Sequence, residues 1–278
     1  MSNPEPDLSF NHAWAKVKWA EYHIRNLSGV CDTIVKDHPC TVTSETDPET
    51  GDWMLVVQPS EPLSPVVSLL AGDAIHNMRA ALDYCWMGLW RSVHPNPPKA
   101  TLPRGISRQE VVGTLKKTAM EQSIPGVDAF VLDTLRSYKG GNDLLWLAGQ
   151  LDNWNKHNLL IATLGVTKII ELTCSSNTGR IKNVIFDGTE VIASKPVSPI
   201  RIQLSPGEFM QFDRGPVVAV DVFISFREAI EEGPLVPFLG AMLQETAEAV
   251  RLFQTTFGID PVEKTALASA SENTNPSA

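Results

Sequence analysis

Cysteine is scarce in this chain, and the four that occur, Cys31, Cys40, Cys85 and Cys174, form no CxxC pair. The sequence therefore indicates neither a structural zinc site nor a disulfide framework. No run of about 18 or more apolar residues is present, so we expect no membrane-spanning helix. The opening segment MSNPEPDLSF lacks the basic and apolar parts of a secretory signal. Together these features predict a cytoplasmic protein.

Several enzyme motifs are missing as well. There is no Gly-x-Ser-x-Gly elbow of a serine hydrolase and no glycine-rich phosphate loop. No cysteine is flanked by residues that would lower its pKa and make it a nucleophile. The 23 Lys and Arg residues stand against 32 Asp and Glu residues, a formal net charge of −9, and no basic run occurs. This balance argues against broad binding to a nucleic-acid backbone, although it allows a local site for one phosphodiester.

Residues 69–90 predict an amphipathic helix around which the chain is organised. His76, Arg79 and Asp83 follow the i, i+3, i+7 spacing of a helical ridge, so their side chains can converge. Lys, Glu and Gln, the usual residues of a solvated face, are absent from this side, which suits a polar site or a polar interface. An ordinary solvated face with local ion pairs is the alternative. The full polar side comprises Asp73, His76, Asn77, Arg79, Asp83 and Tyr84.

A second informative helix is predicted over residues 142–164. Its apolar residues point in all directions, which is typical of a buried helix, yet its middle is polar. Buried ionised groups are costly unless they are paired. Asp152 and Lys156 have the i, i+4 spacing of a pair, and the other available partners lie on the helix at 69–90. We therefore predict that His76, Arg79 and Asp83 face Asp152, Asn155, Lys156 or His157.

The whole pattern predicts an α+β fold. Residues 10–37 indicate a leading helix, 40–58 a β-hairpin, and 107–120 and 125–138 two shorter helices. From residue 166 onward, short alternating runs separated by turn residues are typical of a small antiparallel sheet or sandwich. The predicted segments are a helical bundle with its hairpin at 8–164, a β region at 165–228, a C-terminal helix at 233–257 that packs back on the bundle, and a disordered tail at 259–278.

Two segments carry a family resemblance: GDAIHNMRAALDY at 72–84 and LDNWNKHNLL at 151–160. They resemble the signature of a widespread, uncharacterised bacterial family with an HNxRxALD helix and a DxxxKH helix. More distantly, a helical bundle with a polar Arg/His helix resembles the HEPN superfamily, many of whose members are metal-independent ribonucleases or toxin components that work as dimers. In those proteins His follows Arg by four to six residues, whereas here His76 precedes Arg79 and Tyr84 lies five residues after the arginine.

The HEPN resemblance implies an endoribonuclease or nucleotide-handling protein with no cofactor, acting on single-stranded RNA or a nucleotide, and forming a homodimer. Metal-free cleavage needs a base, an acid and a cation for the developing phosphorane charge. The candidates are His76 and His157 as base and acid, Arg79 and Lys156 for the phosphate, and Asp83 and Asp152 to orient a histidine, with Asp73, Asn77, Tyr84 and Asn155 as further binding residues.

Two other hypotheses remain open. A metal-dependent hydrolase would use Asp73 and His76 as ligands together with Asp152 or His157. In a non-enzymatic protein, the polar residues between the two predicted helices would form a polar seam. This seam would fix the helix register or a symmetric dimer. Geometry separates them: a seam open to a cleft favours a site, whereas a sealed seam favours a structural role. The residues available to seal it are Trp86, Trp146 and Trp154.

Overall fold

The computed structural model describes residues 10–37, 40–46, 48–59, 64–94, 96, 100–156, 158, 160–171, 173–178, 184–185, 189–190, 200–202, 208–212, 217–225 and 234–258. Two sequence predictions lie outside these residues. They are the role of His157 and the disordered tail at 259–278.

The fold is α+β, as predicted. The α-helices of the described residues are α1 (Asn11–Asp37), α2 (Pro65–Val93), α3 (Arg108–Thr118), α4 (Val127–Ala129), α5 (Asp143–Asn155) and α6 (Leu235–Phe257). Their strands are β1 (Cys40–Thr46), β2 (Trp53–Pro59), β3 (Ile161–Glu171), β4 (Thr173–Ser176), β5 (Val184–Ile185), β6 (Thr189–Glu190), β7 (Ile200–Ile202), β8 (Met210–Phe212) and β9 (Val217–Ser225).

The strands form antiparallel sheets of three, in the orders β1-β2-β7, β6-β3-β9 and β5-β4-β8. The predicted hairpin is present, because β1 pairs with β2 from Cys40–Pro59 to Thr46–Trp53. β2 also pairs with β7, at Trp53–Ile202, Met54–Arg201 and Leu55–Ile200. The hairpin predicted as part of the helical segment is therefore joined to a strand of the later β region.

Helix α2 begins at Pro65, where the side chain of Ser64 accepts a hydrogen bond from the backbone N–H of Val66 at 3.3 Å. Its apolar arc is buried as expected, with only Leu70 half-exposed. A buried apolar face of this width fixes the rotation of the helix about its axis, so the opposite side carries the polar residues. The buried members are Ala71, Ala74, Ile75, Met78, Ala81, Leu82, Cys85, Trp86 and Leu89.

The prediction of one helix over 142–164 is wrong at its C-terminal end. α5 ends at Asn155, and β3 begins at Ile161. Both the backbone N–H and the side-chain amide of Asn158 donate to the carbonyl of Trp154, at 2.9 and 3.4 Å, and these bonds close the last turn. The segment that follows is rich in β-branched residues and pairs with β9, so strand pairing determines its conformation rather than helical periodicity.

The helix predicted at 125–138 is also shorter than expected. Gly126 has a φ of +88°, a left-handed conformation that delays the helix until Val127. After α4 the chain continues as a π-helix, Phe130–Leu135. Arg136 caps its C-terminal end, and the backbone N–H of Arg136 donates to the carbonyl of Val131 at 3.0 Å.

The chain divides into two compact units. Unit 1 comprises the described residues of Met1–His23, Gly72–Asn158 and Leu239–Ala278, and unit 2 comprises those of Ile24–Ala71 and Leu159–Phe238. The hairpin and the three sheets therefore belong to unit 2, whereas the predicted segments placed the hairpin with the helices. In the described residues, no helix is long and apolar enough to cross a bilayer.

The core of unit 1 is built on α2. Trp86 is fully buried there, and Phe253 of α6 packs against Phe10 and Phe130 with ring centroids 6.2 and 4.9 Å apart. This part of α6 therefore packs against the other helices of unit 1. α2 thus packs into the core through its apolar side, and its polar side is available to line a site.

Candidate functional site

A pocket of about 230 Å³ lies along the polar side of α2 in unit 1. Side chains from five successive turns of α2 line it, and α5 provides the remaining wall. The spacing of about 3.6 residues per turn explains why these positions share one surface. The lining residues are His76, Arg79, Ala80, Asp83, Tyr84, Met87 and Arg91 of α2, with Asp152 and Lys156 beside them.

Asp152 links the two helices. Its carboxylate is 4% exposed, and its two oxygens contact His76 Nδ1 at 2.9 Å and Lys156 Nζ at 2.7 Å. The prediction that these helices meet through His76 and Asp152 is confirmed by this contact. Because a carboxylate only accepts hydrogen bonds, Nδ1 carries the proton and Nε2 is the basic nitrogen of the neutral ring. The imidazole itself is 53% exposed and lines the pocket, so a ligand can reach it.

Arg79 and Asp83 form a second charged pair deeper in the wall. Arg79 Nη2 donates to Asp83 Oδ1 at 2.7 Å and to the carbonyl of Leu102 at 2.9 Å, while the N–H of Leu102 donates to Asp83 Oδ1 at 2.9 Å. These bonds fasten the loop after α2 to the helix. Burial lowers the pKa of Arg79, and it raises the pKa of Asp83 despite the opposing charge of the arginine. Each charge offsets part of the free-energy cost of burying the other.

Arg104 is a further cation of this cluster, and sequence reasoning missed it. Burial and the neighbouring Arg79 lower its pKa to about 10, while the carboxylates of Asp83 and Asp152 act in the opposite direction. It stays charged at neutral pH. Its guanidinium occupies the space where a side chain at Gly149 would lie, so the glycine allows the arginine to approach α5 closely. Nη1 of Arg104 is buried and has no hydrogen-bond partner among the described residues.

Arg91, in the last turn of α2, is the second residue that sequence reasoning missed. It lines the pocket, is half-buried, and has no ion pair or hydrogen bond within the described part of the chain. Continuing the ridge of His76, Ala80, Asp83 and Met87 by one more turn would have identified it. With Arg79 and Lys156 it gives the lining three permanent positive charges against two carboxylates, so the pocket is positive in a chain of net charge −9.

Three of the predicted residues that the structure describes do not join the pocket lining. Asp73 is exposed on α2, and Asn77 is buried, where it accepts a hydrogen bond from Lys16 at 3.0 Å and donates to the Asp73 carbonyl at 2.8 Å. Asn155 lies against Gly72, whose missing side chain leaves room for the amide. His157 lies outside the described residues. Asn77 and Asn155 thus serve the packing of the helices.

The seam is open, which favours a site over a sealed structural network. Trp86 is fully buried in the core and does not line the pocket, and neither do Trp146 and Trp154. The side chains of His76 and Lys156 are 53% and 51% exposed. For the metal hypothesis, no group of three His, Cys, Asp or Glu side chains in the described ranges could hold an ion.

Unit 2 has a pocket of its own, of about 370 Å³, lined in part by Cys31, Asp32 and Asp221. Burial and these two carboxylates raise the pKa of Cys31 to about 12, so its thiol is not a nucleophile at neutral pH. Asp221 of β9 is half-buried, and burial together with Asp32 raises its pKa. Its Oδ1 accepts the N–H of Val222 at 2.7 Å.

We expect Asp221→Asn to raise the melting temperature at pH 7. A folded-state pKa above the unfolded one means that the ionised carboxylate destabilises the fold, and this cost is complete above the folded pKa. As the pH falls through that value toward the ordinary 3.8, wild-type Asp221 takes up a proton and the advantage of asparagine disappears. Thermal melts at pH 7 and pH 4 test this, and an equal difference at both pH values would contradict it.

Taken together, the pocket of unit 1 presents an imidazole oriented by a buried carboxylate, a lysine, and a cation without a carboxylate partner among the described residues. Such a set of groups can bind an anion and transfer a proton to or from it. Comparisons of the chain with protein-family models, with curated proteins and with solved structures found no match.

Proposed function

We propose that this protein is a metal-independent ribonuclease that cleaves single-stranded RNA in the pocket between α2 and α5. The observation that carries the proposal is the pairing of His76 with the buried Asp152 at the mouth of a positively charged pocket. A carboxylate that holds Nδ1 fixes the tautomer and orientation of the ring, so that Nε2 serves as a general base. The HEPN resemblance of the sequence implies the same class of reaction.

Each step of the reaction has a group in the pocket. Nε2 of His76 takes the proton of a ribose 2′-hydroxyl, and the 2′-oxygen forms a bond to phosphorus. Arg91, together with Arg79 in the pocket wall, stabilises the negative charge of the phosphorane. The bond from phosphorus to the 5′-oxygen then breaks, and that oxygen takes a proton from Lys156 Nζ. The products are a 2′,3′-cyclic phosphate and a 5′-hydroxyl.

The proposal is tested with a fluorescent single-stranded RNA of mixed sequence and protein dialysed against EDTA. We expect cleavage without added metal, with cyclic phosphate ends in the products by mass spectrometry. A DNA strand of the same sequence is the matched control, and it should stay intact because it lacks the 2′-hydroxyl. No cleavage of RNA, equal cleavage of both strands, or cleavage only after metal addition would overturn the proposal.

Arg91→Gln separates phosphate binding from the chemistry of His76. We expect the dissociation constant for ribose 5-phosphate to rise about 10-fold, because a charge-assisted hydrogen bond to the phosphate is lost. Arg91 has no partner in the described residues, so the fold should keep its stability. The control is Arg108→Gln, an exposed arginine that pairs with Asp133 outside the pocket. Calorimetric titrations with equal affinity for wild type and Arg91→Gln would contradict the assignment.

A further inference from the structure

Aromatic rings from two helices meet at the rim of this pocket. Tyr84 lines the pocket and is 40% exposed, and the ring of His12 on α1 lies 6.0 Å from its centroid at an angle of 42°. α1 is held beside α2 at this level by the hydrogen bond of 3.0 Å between Lys16 Nζ and Asn77 Oδ1. This bond holds together the two helices that carry the rings.

The lining of the pocket combines apolar side chains with charged ones. Ala80, Met87 and the ring of Tyr84 line it together with the cations Arg91 and Lys156. Single exposed apolar residues are common on protein surfaces and carry no meaning by themselves. Here, however, the apolar surface is continuous with a positive site. A ligand that satisfies both walls is anionic at one end and flat and apolar at the other.

We infer that Tyr84 and His12 form a base-stacking subsite beside the phosphate position, so that the ligand is an unpaired nucleotide of a single strand. Bases in a duplex are already stacked on their neighbours, and only an unpaired base can offer a face to these rings. Stacking on an aromatic side chain is tolerant of sequence, because every base has a π face. The inference rests on the proposed function only for the phosphate in the pocket, and it does not require cleavage.

Two probes isolate the contribution of the base: ribose 5-phosphate and adenosine 5′-monophosphate. We expect wild type to bind the nucleotide about 10-fold more tightly than the sugar phosphate. Tyr84→Ala should remove this difference and leave the affinity for ribose 5-phosphate unchanged. Tyr84→Phe keeps the ring and should keep the difference. Trp19→Ala is the matched control, an exposed aromatic residue of α1 that does not line the pocket.

Equal affinity of wild type for both probes would overturn the stacking subsite, and so would equal weakening of both probes by Tyr84→Ala. Tyr84→Leu keeps apolar bulk without a π face and guards against a folding defect. Its circular dichroism and melting should match wild type while the preference for the nucleotide is lost, and a preference that survives in this variant overturns the inference. Failure of the phosphate site has a different signature: ribose 5-phosphate would then not bind at all, or would bind equally to Arg91→Gln.

Discussion

His76→Ala is expected to lower the rate of RNA cleavage by about 10²- to 10⁴-fold, the usual contribution of a general acid–base group. The imidazole is half-exposed and contacts Asp152 at 2.9 Å, so its removal takes away the base and leaves the core intact. The affinity for an uncleavable 2′-deoxy strand should change little, because the cations of the pocket remain. Single-turnover rates and the binding of the deoxy strand measure the two effects separately.

The control for this variant is His94→Ala. The ring centroid of His94 lies 4.8 Å from that of Trp90, and this histidine does not line the pocket. Asp152→Asn extends the test. An asparagine oxygen still accepts from Nδ1, but the negative charge that stabilises an imidazolium is lost, so we expect a smaller loss in rate than for His76→Ala. Cleavage by His76→Ala at the wild-type rate would remove His76 from the chemistry.

Asp83→Ala is expected to destabilise the fold by about 3–5 kcal/mol, the range for breaking a buried ion pair by removing one partner. The guanidinium of Arg79, whose side chain is 5% exposed, would lose its carboxylate, and the N–H of Leu102 would lose its acceptor. Both groups would then stay buried with fewer partners. Urea unfolding measures the change, and an unchanged midpoint would show that water or another group takes over both bonds.

Two comparisons isolate the cause of that loss. Asp133→Ala breaks an ion pair on the surface, in which the side chain of Asp133 is 62% exposed and that of Arg108 is 48% exposed. This variant should leave the unfolding midpoint unchanged, because solvent screens both charges. The double variant Arg79→Met with Asp83→Leu removes both charges and should recover most of the lost stability. A double variant as unstable as Asp83→Ala alone would show that the destabilisation arises from the loop at Leu102 rather than from the unpaired arginine.

The sequence by itself determined the parts of this protein that depend on local periodicity. The buried arc of α2, the hairpin and the final helix follow from the spacing of apolar residues and the placement of turn residues, and they are found as predicted. The contact between His76 and Asp152 could also be predicted, because a polar patch within a buried helix needs partners and few other polar helices were available.

Only the tertiary structure decided the rest. Arg104 comes from an irregular loop without periodicity, and its place beside Asp83 and Gly149 depends on how that loop folds back on α2. The end of α5 was set by pairing of the next residues with β9, a long-range interaction that local propensity does not contain. The polar residues of α2 look alike in sequence, yet packing against α1 buries Asn77 and leaves His76 open to the pocket. Whether a polar side chain becomes a packing residue or a site residue thus depends on its neighbours in space, and these are set by helices distant along the chain.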